Sequence, residues 1–326
     1  MEEQFNLTSR TDFTELHNSV NEIKNEIKKI IVGQDQIIDL LIAAILADGH
    51  VLIEGVPGIA KTLIAKILSK TISSNFSRIQ FTPDLMPSDI IGTSVFNMKT
   101  SEFEFNKGPI FSNIILIDEI NRAPAKTQAA LFEVMEERQI TVDGKTYLME
   151  QPFIVFATQN PIEHEGTYRL PEAELDRFLF KAEIDYPSLE EETNILLGLH
   201  KRKNANDLSM IKTVLSTSNL MDYRNKSRDI HIDENIAKYV AQIINKTRNN
   251  SDLYLGGSPR ASLAVLTGAK AFAAMKGRDF ITPDDVREVV YPALKHRLIL
   301  TPEKEMEGIQ IDEIIKKIID KIEVPR

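Results

Sequence analysis

An eight-residue loop restricts the fold more than any other feature of this 326-residue chain. The loop reads Gly55, Val56, Pro57, Gly58, Ile59, Ala60, Lys61 and Thr62. It follows an apolar run at residues 51–53 and opens a segment with helical spacing at residues 62–73. A loop of this kind between a strand and a helix can wrap phosphate oxygens with its backbone N–H groups. The sequence therefore predicts a phosphate-binding P-loop in a parallel α/β fold.

Lys61 and Thr62 are the side chains through which such a loop acts. Lys61 would reach the β- and γ-phosphates of ATP, and the Thr62 hydroxyl would bind Mg²⁺. The position before the lysine is usually glycine and here is Ala60, so the alternative is a glycine-rich turn with an incidental lysine. We predict that the loop and the following Leu63 bind ATP or ADP together with Mg²⁺.

Two adjacent carboxylates, Asp118 and Glu119, follow a second apolar run at residues 114–117. In open α/β sheets, ligands bind at the carboxyl ends of the strands. Asp118 would bind Mg²⁺ directly or through water, and Glu119 would act as the general base toward the attacking water. The alternative is a strand that ends in solvated acids, and the upstream phosphate loop argues against it.

Asn160 follows a third apolar run, at residues 153–157. A further parallel strand would place its amide beside the γ-phosphate, where it could orient water. The spacing alone leaves open that Asn160 belongs to an ordinary loop before Pro161.

The order of elements divides the chain into two parts. Strand patterns alternate with helix patterns as far as residue 188, which favours a mostly parallel sheet flanked by helices. A short helix is expected at residues 172–178, and hairpins are expected at residues 93–106 and around Asp143-Gly144. From residue 189 onward the patterns are helical. We predict an α/β core at residues 1–188 and a smaller all-α domain at residues 189–326.

Composition excludes several classes of site. The absence of cysteine excludes disulfides and thiolate chemistry, and the six histidines show no metal-ligand spacing. The formal net charge of −9 disfavours nucleic acid as a partner. Without an apolar leader or a long apolar run, a cytoplasmic protein that does not insert into membranes is expected.

Seven ordered segments together resemble the MoxR family of AAA+ ATPases, in the clade with an insert in the second helix. The matching segments are residues 31–34, the phosphate loop with Ala60, and residues 118–124, 157–161, 165–168, 170–178 and 257–261. Alanine at the position of Ala60 is common in that family. The resemblance implies an AAA+ core followed by a helical lid.

The resemblance also implies roles for residues that the spacing does not assign. Val32, Gly33 and Gln34 would line the adenine pocket, and Asn160 would be the first sensor. Arg177 matches an arginine finger that enters the neighbouring subunit, and Arg260 matches the second sensor of the lid. Two fixed guanidinium forks suit the charge that spreads over the γ-phosphoryl oxygens. Without the resemblance, Arg177 would be assigned to a surface pair with Asp176, and Arg260 to an exposed first helical turn.

Family membership would make the chain part of a homo-oligomer, with a hexameric ring as the expectation. It would hydrolyse ATP to remodel or mature a client, such as a von Willebrand A domain protein, or to insert metal into an enzyme. The two hairpins would point to the pore or the upper face of the ring, with Lys99 and Lys145 at their tips. A ring motor on nucleic acid and a slow nucleotide-dependent switch are the alternatives. The roles of Arg122 and Arg169 stay unassigned.

Overall fold

The computed structural model describes residues 11–56, 58–160, 167–202 and 207–325, without the side chains of residues 201 and 202. Pro57, a predicted member of the phosphate loop, lies outside these residues, as does the predicted family segment at residues 165–166. The strands are β1 (His50–Gly55), β2 (Phe76–Gln80), β3 (Gly92–Asn97), β4 (Glu102–Lys107), β5 (Ile114–Asp118), β6 (Gln139–Val142), β7 (Lys145–Leu148), β8 (Ile154–Gln159), β9 (Phe178–Ile184), β10 (Leu253–Leu255) and β11 (Ile299–Leu300).

A five-stranded sheet in the order β2-β5-β8-β1-β9 forms the centre of the first part of the chain. All of its neighbouring strands pair in parallel. Every residue of β5 is buried, as is expected of a strand that helices cover on both faces. The predicted mostly parallel sheet is confirmed, and the carboxyl ends of β1, β5 and β8 meet at one edge of it.

Helices cover the sheet and make up most of the remaining chain. They are α1 (Thr14–Lys28), α2 (Asp35–Leu46), α3 (Lys61–Thr71), α4 (Pro87–Ile91), α5 (Ala125–Glu137), α6 (Glu172–Leu175), α7 (Leu189–Arg202), α8 (Thr217–Arg228), α9 (Glu234–Arg248), α10 (Pro259–Met275), α11 (Pro283–Leu294), α12 (Pro302–Met306) and α13 (Ile311–Asp320). The part after β9 is a helical lid, as predicted, with one addition: β10 and β11 form a short antiparallel ribbon. We propose the domain boundary at residues 188 and 189, between the last strand of the sheet and α7. None of the described helices is long and apolar enough to cross a bilayer.

The edge strand β9 corrects one prediction. The helix expected at residues 172–178 ends at Leu175, and Phe178 already belongs to the sheet. Phe178 and Phe180 are fully buried, and the ring of Phe180 lies against Gly268 of α10, where a Cβ would approach it to 2.7 Å. Packing against β1 and the lid thus makes Phe178, the last residue of the predicted helix, the first residue of a strand.

Two antiparallel hairpins project from the core where the sequence places them, β3 with β4 and β6 with β7. They contact each other through Phe105 and Tyr147, whose ring centroids lie 4.6 Å apart, and through a hydrogen bond from Ser94 to Asp143. The outer part of the first hairpin exposes Phe96 and Phe103, which pack edge to face. The hairpins therefore present aromatic side chains as well as the predicted tip lysines.

Candidate functional site

The loops after β1, β5 and β8 surround a cavity of about 350 Å³ at the carboxyl edge of the sheet. The lining contains most of the predicted phosphate loop and both predicted acidic residues. Its members are Gly58, Ile59, Ala60, Lys61, Thr62, Leu63, Arg78, Gln80, Asp118, Glu119, Thr158 and Asn160. The structure thus brings together the predicted catalytic residues Lys61, Glu119 and Asn160 and the predicted metal ligands Thr62 and Asp118.

The backbone of the phosphate loop is left-handed at two positions. Gly58 has a φ of +88° and Ala60 a φ of +60°, and Ala60 directly precedes α3. Left-handed residues between turns aim successive N–H groups into one concavity that can hold anionic oxygens. Glycine adopts this conformation without strain, whereas for Ala60 it costs roughly 1–2 kcal/mol. Glycine is usual at this position because the loop needs a left-handed residue there, and Ala60 keeps that left-handed conformation.

Gly55 is the last residue of β1, and the close approach of the β9 backbone leaves no room for a side chain there. A Cβ at this position would lie 2.7 Å from the carbonyl oxygen of Ile184 on β9. The carbonyl of Gly55 accepts a hydrogen bond of 2.5 Å from the Lys61 ammonium. Val56 follows and packs against the apolar core. Gly55 and Val56 therefore shape the loop from outside the cavity.

The ammonium of Lys61 is half-buried above the carboxylates. Desolvation lowers its pKa from the ordinary value, and the nearby charges of Asp118, Glu119 and Glu54 act in the opposite direction. A cation held in a partly desolvated cavity interacts strongly with an entering phosphate, because solvent screens it less than at the surface.

Asp118 and Glu119 are held by hydrogen bonds from different strands. Asp118 pairs with Arg78 of β2, at 2.6 Å between Nε and Oδ2, and accepts a hydrogen bond of 3.3 Å from the Thr158 hydroxyl. That hydroxyl also accepts the backbone N–H of Glu119 at 3.0 Å. Glu119 has a φ of +57°, a strained conformation of the kind that clusters at functional sites.

The carboxylate of Glu119 is positioned by two further side chains. Its Oε2 accepts hydrogen bonds from Gln80 at 3.0 Å and from Arg122 at 2.8 Å. Arg122, whose role the sequence leaves open, is thus a neighbour of the predicted base. Arg169 instead forms an exposed ion pair with Glu172, at 3.3 Å.

Sequence reasoning missed Arg78, Gln80 and Thr158. The sequence does contain a signal for Arg78 and Gln80, because residues two apart on a strand lie on the same face of the sheet. To use that signal, β2 must be known to lie beside β5, where Gln80 pairs in register with Asp118. Asn160 is buried and lines the cavity, as the third apolar run predicts.

Arg177 lies at the opposite edge of the sheet from the phosphate loop. It directly precedes Phe178, which pairs in parallel with His50 at the start of β1. Because β1 has six residues, at about 3.3 Å each, the two edges are roughly 17 Å apart. Arg177 therefore does not share the cavity of its own Lys61.

Arg260 lies beside Arg177 although the two residues belong to different parts of the chain. Glu136 at the end of α5 pairs with both, at 2.6 Å to Arg260 Nη2 and 3.7 Å to Arg177 Nε. Both arginines line a second cavity of about 260 Å³. Arg177 also donates to the carbonyl of Phe132 at 2.7 Å, and its Nε has no hydrogen-bond partner among the described residues.

Asp176 attaches the lid to the core next to these arginines. It accepts a hydrogen bond of 2.9 Å from Ser258 and pairs with the buried Arg297 at 2.7 Å. Arg297 donates further to the carbonyls of Asp176 and Phe178. The surface pair of Asp176 with Arg177 that spacing alone suggests is therefore replaced by a pair between domains, which fixes Arg260 beside Arg177.

Val32, Gly33 and Gln34 form the turn between α1 and α2 and do not line the phosphate cavity. Gly33 has a φ of +69° and packs against Glu191 of α7, which would collide with a Cβ there. The side-chain oxygen of Gln34 is buried without a hydrogen-bond partner among the described residues. An unsatisfied buried acceptor of this kind fits a ligand that donates a hydrogen bond, such as the amino group of adenine.

Comparisons with known proteins agree with this geometry. The family described as "ATPase family associated with various cellular activities (AAA)" matches residues 50–180, and the "AAA lid domain" matches residues 245–318. The first match contains β1, the cavity and Arg177, and the second contains Arg260 and Arg297.

Similar proteins extend over nearly the whole chain. Chaperone MoxR1 of Mycobacterium tuberculosis is 43% identical over 92% of this chain and 81% of its own length. The Bacillus subtilis protein YeaC is 44% identical over 95% of this chain and 96% of its own length. The crystal structure of a presumed ATPase from Cytophaga hutchinsonii is 41% identical, with a TM-score of 0.88, over 96% of this chain and 97% of that one.

Proposed function

The chain belongs to the MoxR family of AAA+ ATPases, and on that basis we propose that it hydrolyses ATP to ADP and phosphate within a homo-oligomer, as a chaperone for partner proteins. The observation that carries the proposal is the cavity in which Lys61, Asp118 and Glu119 converge. A left-handed anion-binding loop, a partly desolvated ammonium and two oriented carboxylates together suit phosphoryl transfer to water.

Residues of the phosphate cavity and of the turn at residues 32–34 have separate parts in the proposed reaction. Lys61 and the backbone of the loop bind the β- and γ-phosphates, and Val32, Gly33 and Gln34 contact the adenine. Thr62 and Asp118 would hold Mg²⁺, which would supply neutralisation of charge on the phosphates. Glu119 accepts a proton from the attacking water, and Asn160 orients that water. Gln80 and Arg122 keep the carboxylate of Glu119 in place, and Thr158 links it to Asp118.

The reaction needs a second copy of the chain, because the two arginines lie at the far edge of the sheet. We propose that Arg177 and Arg260 together enter the nucleotide cavity of a neighbouring subunit. Such a head-to-tail contact closes into a ring when the rotation permits, and a hexamer is the size that the family resemblance implies. The pairing of both arginines with Glu136 supports their action as one unit.

The chaperone role is supported by the name of MoxR1, 43% identical, and by the two hairpins. Phe96, Met98 and Phe103 are exposed on the first hairpin, where they can contact the apolar surface that a non-native client exposes. A client with a von Willebrand A domain is the class that the family resemblance implies, and we retain it as part of the proposal.

Hydrolysis itself is the first test. The purified chain is expected to release phosphate from ATP in a reaction that requires Mg²⁺. The specific activity is expected to rise with protein concentration until assembly is complete, because the arginines act between subunits. Phosphate release with and without excess EDTA, measured over a wide range of protein concentration, tests this. Release no greater than in EDTA at every concentration would refute the proposal.

Arg78 is expected to compete with Mg²⁺ for Asp118. Since the Arg78 side chain is about half exposed, at 53%, its pair with Asp118 contributes about 1 kcal/mol or less. Replacing Arg78 with methionine should therefore lower the Mg²⁺ concentration for half-maximal binding of fluorescent ATP by about two- to fivefold. The matched control is Lys238→Met, which removes an exposed ion pair on α9. An unchanged or higher Mg²⁺ requirement in Arg78→Met would contradict the prediction.

A further inference from the structure

Three guanidinium groups meet around the second cavity, of about 260 Å³. Arg177, Arg260 and Arg297 all line it. Desolvation, together with the nearby charge of Arg260, lowers the pKa of Arg297, and the pair with Asp176 acts in the opposite direction. Because like charges in a partly desolvated cavity repel each other, carboxylates are needed to keep three arginines together.

The acids of this cavity are unequally available. Its lining contains three carboxylates, those of Asp48, Glu136 and Asp176. Asp176 pairs with Arg297 at 2.7 Å, and Asp48 pairs with the buried Arg224 at 2.9 Å. Glu136 is therefore the lining carboxylate that remains to neutralise the other two arginines of the cavity.

The guanidinium of Arg177 lies on one face of α5. Its Nη1 donates a hydrogen bond of 2.7 Å to the carbonyl oxygen of Phe132, and its central carbon lies 5.9 Å from the centroid of the Phe132 ring. Glu136, four residues further along the helix and hence on the same face, lies 3.7 Å from Nε. Phe132 thus holds Nη1, whereas the direction of the remaining donors depends on the ion pair with Glu136.

Arg260 reaches the same carboxylate from the lid. It lies in the first turn of α10, directly after Pro259, where the positive end of the helix dipole disfavours a cation. Its Nη2 donates a hydrogen bond of 2.6 Å to Oε1 of Glu136. Because the side chains of Arg260 and Glu136 are 49% and 38% exposed, their pair contributes little to the stability of the fold. A role in orienting the arginine accounts for the contact better than a role in folding.

We propose that Glu136 is a positioning residue for the site that Arg177 and Arg260 complete in the neighbouring subunit. One oxygen of its carboxylate faces each arginine, so that the two guanidinium groups are presented together and at a fixed separation. The proposal rests on the proposed action of both arginines between subunits. Glu136 touches no part of the nucleotide, so its effect belongs to the rate of hydrolysis and not to ATP binding by its own chain.

Glu174 is a further carboxylate near Arg177 and serves as a comparison. Desolvation raises the pKa of Glu174, and the charge of Arg177 acts in the opposite direction. Its buried Oε2 has no hydrogen-bond partner among the described residues. It shares with Glu136 a separate cavity of about 200 Å³ that does not include Arg260. Glu174 therefore adds negative charge near one arginine without linking the two.

Glu136→Gln removes the shared charge but keeps the size of the side chain and an acceptor for Arg260. At protein concentrations that give complete assembly by light scattering, kcat should fall by about ten- to a hundredfold, the effect of a small displacement of a catalytic group. KM and the equilibrium binding of fluorescent ATP should stay near their wild-type values. Glu174→Gln and Glu133→Gln, the latter an exposed acid one turn earlier on α5, should retain wild-type kcat. An equal loss in Glu174→Gln, or a rate of Glu136→Gln equal to or above that of the wild type, would overturn the proposal.

Mixed chains show at which subunit Glu136 acts. In a mixture of Lys61→Ala and Arg177→Ala chains, the first supplies the arginine and the second supplies the cavity. Glu136→Gln added to the Lys61→Ala chain should lower the activity of the mixture by the same factor as in the single variant. Added to the Arg177→Ala chain, it should leave that activity unchanged, whereas a merely structural role would lower both mixtures.

The two proposals fail in different ways in this experiment. An inactive mixture of the parent Lys61→Ala and Arg177→Ala chains contradicts the action between subunits and, with it, the role of Glu136. An active parent mixture that responds equally to Glu136→Gln on either chain, or on neither, overturns the role of Glu136 alone and leaves the proposed function standing.

Discussion

Replacing Glu119 with glutamine is expected to slow ATP hydrolysis by about 10²- to 10⁴-fold, the range for removal of a general base. Glutamine keeps the size of the side chain but cannot accept the proton of the attacking water. Its oxygen can still accept the hydrogen bonds of Gln80 and Arg122, which in the wild type reach Glu119 Oε2 at 3.0 and 2.8 Å. The cavity should therefore keep its shape, and the affinity for ATP should change only a few fold.

Single-turnover hydrolysis and equilibrium binding of fluorescent ATP separate these two effects. Glu172→Gln is the matched control, because it removes an exposed carboxylate from outside the phosphate cavity. A Glu119→Gln protein that hydrolyses within tenfold of the wild type would exclude Glu119 as the base. If the base is confirmed, the ATP-bound variant also becomes a means of retaining a client for identification.

The part of the cavity that could be predicted from the sequence lies at strand ends. Lys61, Asp118 and Asn160 each follow an apolar run, and parallel strands bring their carboxyl ends to one edge. Local sequence is sufficient to place these three side chains, because any residue that follows a parallel strand lies at that edge. The order of the strands in the sheet need not be known.

Other parts of the site depend on which elements are neighbours. Arg78 and Gln80 meet the carboxylates because β2 lies beside β5, and no local pattern reports that order. The predicted helix at residues 172–178 includes Phe178, whereas packing of Phe178 on Phe132 and of Phe180 on Gly268 of the lid favours a strand from Phe178 onward. The family resemblance named Arg177 and Arg260, but only the fold shows that they lie side by side.

Replacing Arg177 with alanine is expected to reduce hydrolysis by about 10³- to 10⁵-fold, the effect of an arginine finger in related chemistry. Binding of ATP should persist, because Arg177 lies roughly 17 Å from the phosphate loop of its own chain, across the length of β1. Arg169→Ala, which breaks an exposed ion pair, is the control and should retain full activity. Activity of Arg177→Ala within tenfold of the wild type would contradict the assignment.

Mixing two inactive variants tests whether the arginine acts between subunits. Lys61→Ala has a defective cavity and an intact arginine, whereas Arg177→Ala has the reverse. In a random equal mixture of a head-to-tail ring, about one quarter of the interfaces join an intact cavity to an intact arginine. The mixture should therefore regain activity up to about a quarter of the wild-type value, well above either variant alone.

The control for this mixture is the double variant Lys61→Ala/Arg177→Ala, which offers neither an intact cavity nor an intact arginine. Mixed with either single variant, it should restore nothing. If the two single variants assemble together and the mixture shows no gain in activity, action of Arg177 between subunits would be contradicted. Arg177 would then have to act within its own chain, which the opposite edges of the sheet do not allow without a large movement. Recovery of activity would instead show that the complete site is formed by two subunits, one contributing Lys61 and the other Arg177.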